Sequence, residues 1–236
     1  MATVTAAVRA ARAIVALDAS LLARAMALVD ALADSCDFYK VGSELFTAAG
    51  PEAVTAIRER GHDVFLDLKL HDIPNTVRGA VRSASALGAT LVTVHASGGA
   101  DMISAAVDGA AAGCRVLAVT VLTSLDASGL SRSWGREVRA VEDEVLRLAA
   151  LARASGAHGI VCSALEAALV RAAHGDALEV LVPGIRLDKG SADDQARVAT
   201  PAEAVAAGAT YVVLGRAVTA AADPSAVMRR VKEMLR

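Results

Sequence analysis

A short stretch of the chain, Asp67-Leu68-Lys69-Leu70-His71-Asp72-Ile73-Pro74-Asn75-Thr76, brings two carboxylates and an ammonium within six residues of one another. An ammonium flanked by acids is a fixed positive charge with a proton to give. Such a group can stabilise negative charge as it develops on a substrate and then protonate it. The apolar run Val64-Phe65-Leu66 stands immediately before it, and residues 64–70 read as a buried strand closed by a proline four positions later. Alternation along a strand sends Asp67 and Lys69 to one face and Leu66, Leu68 and Leu70 to the other. Burying charges costs free energy unless they pair, and a core strand has little structural use for two of them. A structural ion pair at a strand end, with Asp72 as a helix cap, is the plain alternative, and spacing alone does not separate the two.

The elements around this stretch alternate regularly. Apolar runs that read as strands cover residues 13–17, 38–42, 64–70, 90–95, 115–123, 159–163, 179–185 and 211–215. Between them lie stretches of helical spacing at residues 21–33, 51–61, 74–88, 101–112, 138–155, 165–174 and 201–207, and a last one closes the chain at 224–235. Pro51 is expected at the first position of its helix, and residues 124–137 read as a polar loop with Trp134 as an anchor. Eight βα units with no linker between them predict a single α/β domain over residues 1–236, a (β/α)8 barrel. Residues 1–12 read as a short N-terminal helix or lead-in. A doubly wound open sheet is the main rival, but it leaves edges and usually has fewer strands.

A barrel of this kind carries its site at the C-terminal ends of the strands. The polar residues expected there are Asp18, Lys40, Asp67, Lys69, His95, Thr123, Ser124, Arg186 and Arg216, drawn from seven of the eight strands. After the seventh strand stands Pro183-Gly184-Ile185-Arg186, and after the eighth Gly215-Arg216. Loops in these two places often bind phosphate. Glycine lets the backbone approach an anion, and arginine meets it with a planar fork. A phosphorylated ligand is therefore expected, with residues 187–194 as a mobile lid and Gln195 just beyond.

Composition narrows the classes. Only 3% of residues are aromatic and the net charge is −2, which leaves no basic stripe or stacking platform for nucleic acid. The longest uncharged stretch, residues 83–100, is interrupted by Ser, Thr, Gly and His95 and makes a poor membrane span. Cys36, Cys114 and Cys162 are far apart, which suits reduced thiols in a cytoplasmic protein better than disulfides or zinc ligands. His62 and His174 read as helix-end residues, and Asp193-Asp194 as solvated surface. His71 and His95 lie near the expected site without an assigned role.

Together these segments resemble the orotidine 5′-phosphate decarboxylase family. The resemblance runs through Ala16-Leu17-Asp18, Tyr39-Lys40-Val41-Gly42, the Asp67–Thr76 stretch and Val94-His95-Ala96-Ser97-Gly98-Gly99. It continues through Val121-Leu122-Thr123-Ser124, Pro183-Gly184-Ile185-Arg186, Asp194-Gln195 and Val213-Leu214-Gly215-Arg216. It implies decarboxylation of orotidine 5′-monophosphate to UMP and CO2 in pyrimidine biosynthesis, with no metal and no organic cofactor. It implies a charge network of Lys40, Asp67, Lys69 and Asp72, with Asp72, Ile73 and Thr76 contributed across a homodimer interface. Asp18 would bind ribose hydroxyls and Ser124 the pyrimidine. Arg186, Gln195 and Arg216 would bind the phosphate, beside Gly184 and Gly215. Ala217-Val218-Thr219 depart from the commoner proline or serine followed by isoleucine.

The chemistry suits these groups. Loss of CO2 from C6 of the pyrimidine leaves a carbanion in the ring plane, and Lys69 can stabilise it and then protonate it. A carboxylate about 4 Å from an ammonium attracts it by on the order of 4 kcal/mol at an effective dielectric near 20. Two rivals stand beside this reading. Metal-dependent sugar-phosphate decarboxylases or aldolases of the same superfamily share the Asp-x-Lys strand, but they place a glutamate where Lys40 stands. A non-catalytic phosphate-ligand sensor would be expected to have lost part of the charged quartet.

Overall fold

The computed structural model describes residues 10–32, 34–187 and 198–235. The apolar runs form eight strands, β1 (Arg12–Ala16), β2 (Phe38–Gly42), β3 (Asp63–Leu70) and β4 (Leu91–His95), then β5 (Arg115–Val119), β6 (Gly159–Val161), β7 (Glu179–Ile185) and β8 (Tyr211–Leu214). Each pairs in parallel with the next, and β8 returns to β1 through Arg12↔Tyr211 to Val15↔Leu214, so the sheet closes into a barrel. Closure removes the two edges that an open sheet would expose. The doubly wound alternative is thereby excluded, and the fold is the (β/α)8 barrel expected from the count of units.

Strand alternation divides the apolar residues into two cores. Ile14, Ala16, Phe38, Phe65, Leu91, Leu117, Val161, Leu181 and Val213 fill the barrel interior. Their strand neighbours, among them Val15, Tyr39, Val41, Leu66, Val92 and Val212, face outward against the helices. Small residues let the helical layer sit close. Pro74–Ala86 packs on Ala100–Gly109 so tightly that a Cβ on Gly109 would collide with the carbonyl oxygen of Arg78. Helix starts follow ordinary capping chemistry. Ser163 with Glu166 and Thr200 with Glu203 form capping boxes, and prolines open the helices at Pro74, Pro201 and Pro224.

The N-terminal mouth is closed by paired charges over aromatic rings. Arg12 bonds Asp63 at 2.9 Å and lies 4.6 Å over the ring of Phe38, while Arg58 and Thr90 also bond Asp63. Across the mouth Arg115 meets Glu179 at 2.8 Å, and the Tyr211 hydroxyl donates to the same carboxylate. With its charges satisfied at this end, the barrel leaves the opposite mouth for function.

Several expected boundaries move. β5 ends at Val119 rather than at residue 123, because Thr120 turns to give both its N–H and its hydroxyl to the Val161 carbonyl. The expected polar loop holds a helix, Ala127–Trp134, capped by Asp126, which accepts from the Gly129 N–H at 2.6 Å. Trp134 ends that helix half-buried, with the Arg136 guanidinium 5.1 Å above its ring. A separate helix, Ser43–Ala49, precedes Pro51, and Gly50 at φ 59° breaks the chain before the next. Pro51 then occupies the N-cap of Glu52–Glu59 rather than its first helical position. The helix expected over residues 138–155 begins at Val141. Residues 10 and 11 are not helical. Arg12, the last residue of the expected lead-in, opens β1 instead, and Leu187, the first of the expected lid, packs against the outer core. Residues 1–9, lid residues 188–194 with Asp193-Asp194, and Gln195 lie outside the described residues.

Candidate active site

Strand register brings four charged side chains of the first three units to one side of the C-terminal mouth. Lys40 follows Phe38 by two positions on β2, and Asp67 follows Phe65 by two on β3, so both continue the inward rows above the interior core. Asp18 lies two residues beyond β1. Lys40 Nζ is 3.0 Å from Asp18 Oδ1 and 3.9 Å from Asp67 Oδ2, and Lys69 Nζ is 2.7 Å from the same Asp67 oxygen. The order Asp18, Lys40, Asp67, Lys69 alternates in sign at every step.

Asp67 is the buried centre of this row, 8% exposed, and a buried carboxylate needs partners for its oxygens. Both are served: Oδ2 by the two ammoniums and Oδ1 by the Thr93 hydroxyl, which donates at 2.9 Å. Gly42 makes room for the row, since a Cβ there would stand 2.7 Å from the Lys40 ammonium. Neither Thr93 nor Gly42 is among the site residues expected from the sequence. The only signal for Thr93 is a hydroxyl inside the otherwise apolar run Leu91-Val92-Thr93-Val94.

A cavity of about 520 Å³ opens beside the row, within the size range of small-molecule sites. Asp18, Lys40, Asp67 and Lys69 form one wall, and Pro183, Gly184, Arg186, Gly215 and Arg216 form another. Its floor is the top of the interior core, with Phe65, Val119, Val161, Leu181 and Val213. The second wall depends on a local irregularity. The pairing of β7 with β8 shifts register between Val182 and Ile185, and Gly184 there takes φ 75°, a conformation glycine adopts without strain. The Arg186 N–H then bonds the Ala199 carbonyl at 2.9 Å, tying the loop back to the chain. The cavity thus has paired charges at one side, the strand ends that carry Arg186 and Arg216 at another and an apolar base between them.

Other expected residues fall elsewhere. Asp72, Ile73 and Thr76 are exposed and do not line the cavity, and Ile73 is 67% exposed. Asp72 is not the helix cap: Ile73 occupies the N-cap, and Asp72 Oδ1 accepts the Ile73 N–H at 2.6 Å. Thr123 lines the cavity, whereas Ser124 beside it is exposed and does not. His71 and His95 stack loosely near the strand ends, ring centroids 5.4 Å apart, without lining the cavity. Burial pulls the His95 pKa down, and the neighbouring His71 and Lys69 charges act in the same direction. His62, expected as a helix-end charge, packs edge-on against Tyr39 at 5.2 Å.

Fold and site first define a class, a (β/α)8-barrel enzyme whose small-molecule site is built from strand ends at the C-terminal mouth. The chain belongs to the orotidine 5′-phosphate decarboxylase / HUMPS family, whose model matches residues 11–231. An orotidine 5′-phosphate decarboxylase from Anaeromyxobacter sp. (strain K) is 55% identical over 216 residues, covering 92% of this chain and 94% of that one. Another from Paramagnetospirillum magneticum is 50% identical over 229 residues, with 94% and 97% covered. Among solved structures, orotidine 5′-phosphate decarboxylase from Lactobacillus acidophilus superposes with a TM-score of 0.84 at 37% identity, covering 95% of this chain and 99% of that one.

Proposed function

We propose that this chain decarboxylates orotidine 5′-monophosphate to UMP and CO2, a step of de novo pyrimidine biosynthesis, as a cytoplasmic homodimer that needs no metal or organic cofactor. The observation that carries the reading is that Lys40 and Lys69 meet one buried carboxylate, Asp67, on the wall of a cavity whose other wall holds Arg186 and Arg216. The names of the relatives point to the same reaction.

In this reading the arginines and the Gly184 and Gly215 backbone bind the phosphate, with Gln195 joining them. Asp18 takes ribose hydroxyls, and Ser124 binds the pyrimidine from the segment whose Thr123 lines the cavity, although Ser124 itself is exposed beside it. Breaking the bond from C6 to the carboxylate releases CO2 and leaves the electron pair on C6. The Lys69 ammonium, already fixed beside Asp67, stabilises that charge without reorganising and then transfers its proton to C6. The neutral amine regains a proton from water. Asp67 near the substrate carboxylate also disfavours the ground state. Asp72, Ile73 and Thr76 of a second copy complete the site, which agrees with their exposure outside their own cavity. Among the described residues no helix is long and apolar enough to cross a membrane.

A metal-dependent sugar-phosphate enzyme would need an anionic ligand where Lys40 stands, and the ammonium held 3.0 Å from Asp18 favours the nucleotide reading. Orotidylate absorbance, followed with and without a chelator, tests the proposal. A fall that the chelator leaves unchanged is expected. No fall, or one abolished by the chelator, overturns it.

A further inference from the structure

The ladder between β3 and β4 pairs Leu66 with Val92 and Leu70 with Val94, so β3 advances four residues while β4 advances two. Asp67, Leu68 and Lys69 therefore stand opposite one residue, Thr93. Within this bulge Lys69 takes a φ of 50°, the left-handed region that side chains with a Cβ rarely occupy. Such a conformation persists only where its surroundings over-determine it. The surroundings here form a closed ring of bonds. The Lys69 N–H, displaced from the regular ladder, donates to Thr93 Oγ1 at 3.0 Å. The Thr93 hydroxyl donates to Asp67 Oδ1 at 2.9 Å, and Asp67 Oδ2 accepts from Lys69 Nζ at 2.7 Å. The ring leaves the Lys69 backbone and returns to its ammonium through one hydroxyl and one carboxylate. Thr93 itself is fully buried and does not line the cavity.

We propose that Thr93 is a positioning residue for the decarboxylation. Its hydroxyl holds the Lys69 backbone in the left-handed conformation and the Asp67 carboxylate in its orientation, and together these aim the Lys69 ammonium into the cavity. This rests on the decarboxylase reading given above. The hydroxyl uses its donor and an acceptor at once, so a side chain of the same shape without it strands a buried N–H and a carboxylate oxygen. The bulge can then relax toward a regular strand and carry the ammonium away from its place, to which the rate of a positioned reaction is steeply sensitive. The arginine wall, built on β7 and β8, does not pass through Thr93, so nucleotide binding is spared.

The test compares Thr93→Val with Thr93→Ser in the full-length enzyme. It follows kcat, UMP affinity and hydrogen exchange of the Lys69 amide. Thr93→Val is expected to lower kcat about tenfold or more, with UMP affinity within about twofold and the Lys69 amide exchanging at least about tenfold faster. Thr93→Ser, which restores the hydroxyl, is expected to return kcat to within about threefold of the wild type. An unchanged kcat in Thr93→Val overturns the proposal. So does a Thr93→Ser enzyme as impaired as Thr93→Val, or a kcat loss matched by an equal loss of UMP affinity. If Thr93→Val fails to fold, Thr93→Ala is read in the same way. If neither folds, an unprotected Lys69 amide in the wild type overturns the proposal and a protected one supports it. A wild type that leaves orotidylate intact defeats the functional reading alone. The amide-exchange contrast between the wild type and Thr93→Val then decides whether the hydroxyl holds Lys69.

Discussion

Lys69 sits 2.7 Å from Asp67 on the cavity wall while its backbone occupies a conformation usually left to glycine. Its spacing from Asp67 follows from strand alternation and could be read from the sequence. Its left-handed backbone could not, because nothing local in Leu68-Lys69-Leu70 favours positive φ. Lys69→Ala removes the proposed proton donor, so turnover should fall by at least about 10³-fold, with UMP binding still measurable by calorimetry. Near-normal turnover in that variant would remove Lys69 from the role. The histidines teach the opposite lesson. His71 and His95 lie close to the expected site in sequence, yet their rings face one another rather than the cavity, and residue type alone does not reveal where a ring turns.

At the scale of elements, helices were legible where an apolar period is punctuated by Pro or Gly, as at Pro74–Ala86, which opens on Pro74 and stops just before Gly88, and at Pro224–Met234, which opens on Pro224. The helix Ala127–Trp134 was not, because its Ser-rich sequence carries few apolar residues and its stability comes from the Asp126 cap and from packing of Leu130 and Trp134. Close helix packing makes one glycine critical. Gly109→Ala should lower the free energy of unfolding in urea by about 1–3 kcal/mol, because the added methyl must push the Pro74–Ala86 helix away despite alanine's better helix propensity. The strand starts carry a pH dependence of their own. Partial burial tends to raise the Asp63 pKa, but bonds from Arg12, Thr90 and Arg58 outweigh it and hold the carboxyl below its ordinary range. A depressed folded pKa stabilises the fold at pH values above the unfolded pKa, near 4, and that stabilisation is lost as the pH falls further. Asp63→Asn should therefore flatten the loss of stability between about pH 4 and pH 2 in urea titrations. An unchanged acid limb would assign that loss to other carboxyls, such as Glu144, held low against partial burial by Arg136 and Arg147.

At the scale of the molecule, Asp72 is the residue of the quartet that the single chain leaves outside its own cavity. If a second copy supplies it, two inactive variants complement each other. In a hybrid dimer of Lys69→Ala and Asp72→Ala, one site lacks both groups and the other has both. Mixing the two proteins in equal amounts, with subunit exchange, should then recover roughly a quarter of wild-type activity. Each variant alone should remain inactive. No recovery in a mixture shown to contain hybrid dimers would return Asp72 to its own chain.

By itself the sequence determined what covalent geometry and local period control: eight apolar strands, the helices between them, the glycines and prolines that separate them, and a lysine and an aspartate sharing one face of β3. Those features depend on residues a few positions apart. Only the tertiary structure decided that Thr93 meets Asp67 and Lys69 across a bulge, that β8 closes on β1, and that Thr123 rather than Ser124 lines the cavity. Each of these depends on the register between segments distant in the chain. Alternation limits which face each residue takes, but the partner it meets on the next strand is settled only when the apolar faces of neighbouring strands pack together around the barrel.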